Sequence, residues 1–196
     1  MIDKARIRRA GAMLATALWL SGAERAARAD DAGGAGVRRN TVSANPVRFA
    51  LLHFQVDLER AVSDRWSLFV SPIVFHHATW YPFARAPHMT ANGYGLDVGA
   101  RYFFSGAAPA GFFVGPFLSA YRGEVLRSGE QTLEGYIYSP GVQAGMTWII
   151  RRWVLSGGGG PSYGFATSEG PGTERAEQLP HRGFWLNFRL NAGITF

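Results

Sequence analysis

From residue 182 onward the chain reads R-G-F-W-L-N-F-R-L-N-A-G-I-T-F. Phe184, Leu186, Phe188, Leu190, Ala192, Ile194 and Phe196 fall on one parity, and Gly183, Trp185, Asn187, Arg189, Asn191, Gly193 and Thr195 fall on the other. A period of two predicts a strand with two unlike faces, one apolar and free of charge for its whole length. The same alternation recurs upstream. Leu52, Phe54, Val56 and Leu58 oppose His53, Gln55, Asp57 and Glu59, and Trp66, Leu68, Val70, Pro72 and Val74 continue the apolar face. Tyr94, Leu96, Val98, Ala100, Tyr102 and Phe104 oppose Gly93, Gly95, Asp97, Gly99, Arg101 and Phe103. Further stripes are Phe112, Val114, Pro116, Leu118 and Ala120, then Tyr136, Tyr138, Pro140, Val142, Ala144, Met146 and Trp148, then Leu155, Pro161, Tyr163 and Phe165.

Between these stripes the sequence predicts short turns at residues 62–65, 105–111 and 149–152, and longer polar loops at 76–92, 122–134 and 166–181. Alternating short and long connections are expected where one rim carries tight turns and the other faces outward. Seven clear strands would leave the two chain ends of such a sheet on opposite sides. An eighth, short strand is therefore expected within residues 38–48, turning back near 49–51.

The composition of the second face separates two kinds of alternating sheet. A sheet facing water would carry Lys, Glu and Thr there. Here that face has Gly at 93, 95, 99, 115, 141, 145, 158, 160, 164, 183 and 193, with the charges Asp57, Glu59, Asp97, Arg101 and Arg189. Such a face suits the crowded lumen of a small barrel, in which opposite charges pair. The apolar face is bordered by Trp66, Tyr102, Trp148 and Trp153 near the short turns, and by Tyr94, Tyr136, Tyr138 and Tyr163 toward the long loops. These rows predict two interfacial aromatic girdles. The fold expected is all-β, an eight-stranded antiparallel up-and-down transmembrane β-barrel spanning residues 39–196.

The start of the chain changes the charge argument. Lys4, Arg6, Arg8 and Arg9 precede an apolar run from Ala10 to Leu20, followed by Ala27-Arg28-Ala29. This is the order of a cleaved signal peptide, expected to be residues 1–29, with Ser21-Gly22-Ala23 as an alternative site. Residues 30–38, rich in Gly and Ala, read as a flexible lead-in. The leader holds six of the 20 Lys and Arg and two of the 14 Asp and Glu, so the remainder carries 14 minus 12, or +2, against +6 for the whole chain. A nucleic-acid partner loses its support. With no cysteine, disulfides, thiolate metal sites and a Cys nucleophile are excluded.

The C-terminal alternation ending on Phe196, with Phe188, Leu190, Ala192 and Ile194 before it, resembles the signal by which bacterial outer-membrane barrels are read by their assembly machinery. Asn45-Pro46, Asp57-Leu58-Glu59-Arg60-Ala61-Val62-Ser63-Asp64-Arg65-Trp66-Ser67-Leu68, Gly95-Leu96, Gly99-Ala100-Arg101-Tyr102-Phe103-Phe104 and Gly111-Phe112-Phe113-Val114-Gly115-Pro116 together resemble a family of small outer-membrane β-barrels of unknown function. More loosely, the chain resembles eight-stranded barrels typified by the transmembrane domain of outer membrane protein A. The resemblance covers nearly all of residues 45–196, and its motifs are those of strands and turns. It implies fold and an outer-membrane location, with lipid and lipopolysaccharide as surroundings, and no particular chemistry.

Candidate chemistry is sparse. His76 and His77 are adjacent, and adjacent strand residues point to opposite faces, so no metal site is expected from them and His88. A lipid A-modifying esterase would need a serine with a base in reach. No His-x-Ser occurs, and His77-Ala78-Thr79 and His88-Met89-Thr90 are the nearest approaches. The four glycines at 157–160 lack the Lys-Ser/Thr and helix of a phosphate loop. The expectation is a monomeric, non-porin, non-catalytic surface protein without cofactor, acting through its outer loops. A lipid A-modifying enzyme and a narrow solute channel are the alternatives.

Overall fold

A computed structural model describes residues 39–50, 52–78, 89–127, 130–169 and 183–196. The expected signal peptide, the lead-in, His88 and Thr79 lie outside the described residues. Eight antiparallel strands close on themselves in sequence order. They are β1 Asn40–Ala44, β2 His53–Ala61, β3 Trp66–Ala78, β4 Met89–Phe103, β5 Gly111–Arg127, β6 Glu130–Ile150, β7 Trp153–Glu169 and β8 Gly183–Thr195. Closure depends on β1, which pairs with β8 from Thr41↔Thr195 to Ala44↔Ala192 and with β2 from Asn40↔Arg60 to Ala44↔Val56. At the end of that seam Asn40 and Phe196 exchange backbone bonds of 3.0 and 2.9 Å.

The parity read from sequence fixes the faces. Phe184, Leu186 and Phe188 are 84, 70 and 73% exposed on the outer wall, while Arg189, Asn191 and Thr195 on the opposite parity are buried. The interior is therefore polar and the exterior apolar, the inverse of a water-soluble domain.

Two expectations are corrected. The loops expected at 76–92, 122–134 and 166–181 are in part ladder: β3 runs to Ala78, β4 starts at Met89, β5 runs to Arg127, β6 starts at Glu130 and β7 runs to Glu169. A cross-strand ladder needs only backbone bonds, so strands continue where the outer face has become polar and the hydrophobic alternation has stopped. The turn expected at 49–51 is a short helix, α1, Pro46–Ala50. Its cause is local: Asn45 Oδ1 accepts from the Arg48 N–H at 3.0 Å, and Pro46 occupies the first helical position, where a missing N–H costs nothing. Arg48 is also the basic residue of its last turn.

At the end of the barrel that bears the short turns, the interior is closed by side chains. Ala61, Phe103, Ala108 and Phe113 form one buried cluster. The connection at residues 104–110 is held over it, the Ala108 N–H donating to the Asp64 carbonyl at 2.8 Å.

Candidate functional site: a charged and aromatic lumen

The inward parity of β2, β4 and β8 brings all five charges expected in the lumen into one connected network. Arg101 donates through Nη1 to Glu59, and its Nη2 lies 3.9 Å from Asp57. Arg189 pairs with Asp97 and has Nη1 at 3.8 Å from Asp57. Asp57 is thus shared between the two guanidiniums. Every member is buried, from 0% exposure at Asp97 to 8% at Arg189. Charges removed from water need partners of this kind, since an uncompensated ion in a low-dielectric interior is expensive.

Neutral donors complete the carboxylates. Asp97 accepts from Tyr121 Oη at 2.5 Å and from Gln55 Nε2 at 3.2 Å. Glu59 accepts from the Ser67 hydroxyl, and Asp57 from the Asn191 amide. These partners share the polar parity of their strands, but the alternation alone does not say which of them meet.

Aromatic rings, which the alternation did not lead one to expect in quantity on this face, fill the space between the charges. The Arg101 guanidinium lies between the rings of Phe69 and Phe113, at 4.7 and 4.8 Å. Arg189 lies over Phe69 at 5.1 Å and Phe117 at 5.6 Å, so the Phe69 ring meets both cations. Flat, weakly hydrated guanidiniums suit such stacking.

The rings account for three of the inward glycines. Phe69 is paired with Gly99, Tyr121 with Gly95 and Phe117 with Gly141 across the ladders. A Cβ on Gly95 would sit 2.0 Å from Tyr121 Cδ1, and one on Gly99 2.6 Å from Phe69 Cε1. Each ring lies over a residue that has no side chain, which is how large residues fit a small lumen. The signal that could have found these rings is the placement of Phe69, Phe113 and Phe117 on the parity of the glycines.

The aromatic residues of the outer face stand where the parity puts them. Trp66 is paired with Tyr102, their centroids 5.1 Å apart, and Trp148 and Trp153 lie beside the β6–β7 turn. Toward the other end, Tyr163 contacts Phe184 at 5.1 Å, and Tyr94, Tyr136 and Tyr138 are exposed. Arg122 joins this upper row, donating to Tyr94 Oη at 3.1 Å, pairing with Glu134 and lying 5.8 Å over the Tyr136 ring. Phe188, Leu190, Ala192 and Ile194 of β8, and Phe196 just after it, are all exposed on the outer face. Among the described residues no group of three His, Asp or Glu is placed to hold a metal. His76 contacts Asn92.

Fold and interior together define a closed eight-stranded β-barrel with an apolar outer wall and a lumen packed with paired charges and rings. The chain belongs to the family described as protein of unknown function (DUF3575), which matches residues 18–169, a span that includes β1 to β7. No curated protein and no solved structure matches it.

Proposed function

We propose that this protein is a small outer-membrane barrel, exported by its N-terminal segment and monomeric, with a structural or surface-contact role and neither catalysis nor an open pore. The observation that carries this reading is the inversion of polarity: rings and aliphatic groups cover the outside of a closed barrel whose charges are paired inside. In water such a surface would drive association, whereas in a bilayer it is the solvated face. A transmembrane strand needs about 9–11 residues. β5 and β6 have 17 and 21, so their far ends, with Arg122, Glu124 and Glu134, extend beyond the apolar band and offer polar surface to lipopolysaccharide or a partner. The outward residues Phe188, Leu190, Ala192 and Ile194 of β8, with Phe196 beside them, form the segment on which the assembly machinery would act.

The lumen argues for structure over conduction, because Arg101 is buried against the rings of Phe69 and Phe113 and tied to Glu59 rather than exposed to a path. Reconstituted into planar bilayers, the wild-type chain is expected to give no steps above the lipid background. Its expression in a Gram-negative host should leave the mass of lipid A unchanged. Discrete steps altered by Arg101→Ala would replace this reading with the channel, and a shifted lipid A mass would replace it with the enzyme.

A further inference from the structure

On the outer surface at the short-turn end, β6, β7 and β8 leave an apolar groove of about 340 Å³ lined by Trp148, Ile150, Trp153, Leu155 and Ala192. The register builds it. Trp148 opposes Leu155 and Ile150 opposes Trp153 across β6 and β7, while Leu155 opposes Ala192 on β8. Two indoles thus rise beside a residue that has only a methyl group, and the wall is low there.

Directly beyond the groove, β6 and β7 are joined by Arg151-Arg152, both exposed. Arg151 has φ +58°, a left-handed backbone that tight turns normally assign to Gly or Asn. The turn is fixed beside the groove, since the Arg152 carbonyl accepts from the Thr195 N–H of β8 at 2.8 Å. The same rim carries Arg39 and Arg65, against Asp64, 3.9 Å from Arg39. Its balance is positive.

An apolar slot between two indoles, with guanidiniums at its mouth, fits an acyl chain that carries a phosphate. We propose that this groove binds an anionic phospholipid of the leaflet at the short-turn side, with an acyl chain between Trp148 and Trp153 and the phosphate on Arg151 and Arg152. Guanidinium is well matched to phosphate, and indole to the interface. The site rests on the membrane reading above, and its test separates the two.

The full-length chain with Trp19→Phe, Trp66→Phe, Trp80→Phe and Trp185→Phe keeps only the two groove indoles as tryptophan reporters. It is refolded into phosphatidylcholine vesicles containing an equal minor fraction of either brominated phosphatidylglycerol or brominated phosphatidylcholine, and quenching is compared. Phosphatidylglycerol is expected to bind beside these indoles at least about threefold more strongly, and less so as salt is raised. Arg151→Asn with Arg152→Gln should bring the ratio to about one without loss of the fold, because Asn tolerates the left-handed backbone. Equal quenching by the two lipids in the parent chain overturns the site alone, and so does a preference that survives the double substitution. No quenching by either lipid places the chain outside the bilayer and overturns the membrane reading together with the site.

Discussion

The Arg101→Ala variant should lose about 3–5 kcal/mol of folded-state stability, because it leaves the buried Glu59 with no guanidinium and Asp57 with Arg189 alone, at 3.8 Å. Arg101 is 2% exposed, pairs with Glu59, and is held between two rings. Its removal therefore also opens a void beside Phe69 and Phe113. The two effects are separable. Adding Glu59→Gln to Arg101→Ala removes the uncompensated charge but leaves the void, and should recover at least half of the loss. Both values come from guanidinium unfolding of the vesicle-inserted chain followed by tryptophan emission. If Arg101→Ala unfolds at the midpoint of the wild type, the lumen is solvated and the interior is not the packed network described above.

Gly193→Val should prevent closure altogether, an effect above about 4 kcal/mol, the range reserved for severe core and backbone damage. Gly193 lies in the seam, paired with Ser43 of β1. A Cβ there would meet the Val42 carbonyl oxygen at 2.0 Å and the Ser43 Cα at 2.5 Å. Backbone atoms cannot rotate away as a side-chain end can, and β1, with its five residues, meets β8 at only three other positions, Thr41, Val42 and Ala44. Gly157→Ala on β7 is the control, since its Cβ would face outward and meet nothing nearer than Leu190 Cδ1 at 3.8 Å. The expected outcome is loss of the compact, faster-migrating band of the unboiled chain for Gly193→Val and its retention for Gly157→Ala. A compact band for both would mean that the β1–β8 pairing is dispensable.

The alternation made the faces legible because the period of a strand is two and one face is uniformly apolar. That fixed the strand cores, the inward placement of Asp57, Glu59, Asp97, Arg101 and Arg189, and the need for a strand before residue 49. The strand ends were not legible. Past Tyr94 and Tyr136 both faces are polar, and the alternation has no contrast left to read, although Arg122 and Glu134 remain on the ladder. Helix α1 was legible in principle from Asn45-Pro46, a cap followed by a proline, but a five-residue helix has no periodicity to announce it. The partners inside the lumen depend on register between strands far apart in sequence. Arg189 meets Asp97 across 92 residues and Asn191 meets Asp57 across 134. No local pattern carries that information, and only the seam between β1 and β8, once closed, brings those residues together.

The most direct test of the account is the gel mobility of the chain recovered from the envelope of a Gram-negative host that expresses it, boiled against unboiled, after separation of inner and outer membranes. A barrel of this kind should appear in the outer-membrane fraction as a compact band that shifts on boiling and disappears when Phe196 is deleted, because that deletion removes both backbone bonds to Asn40 and the outward terminal ring. A soluble periplasmic protein with the same mobility before and after boiling would contradict the account.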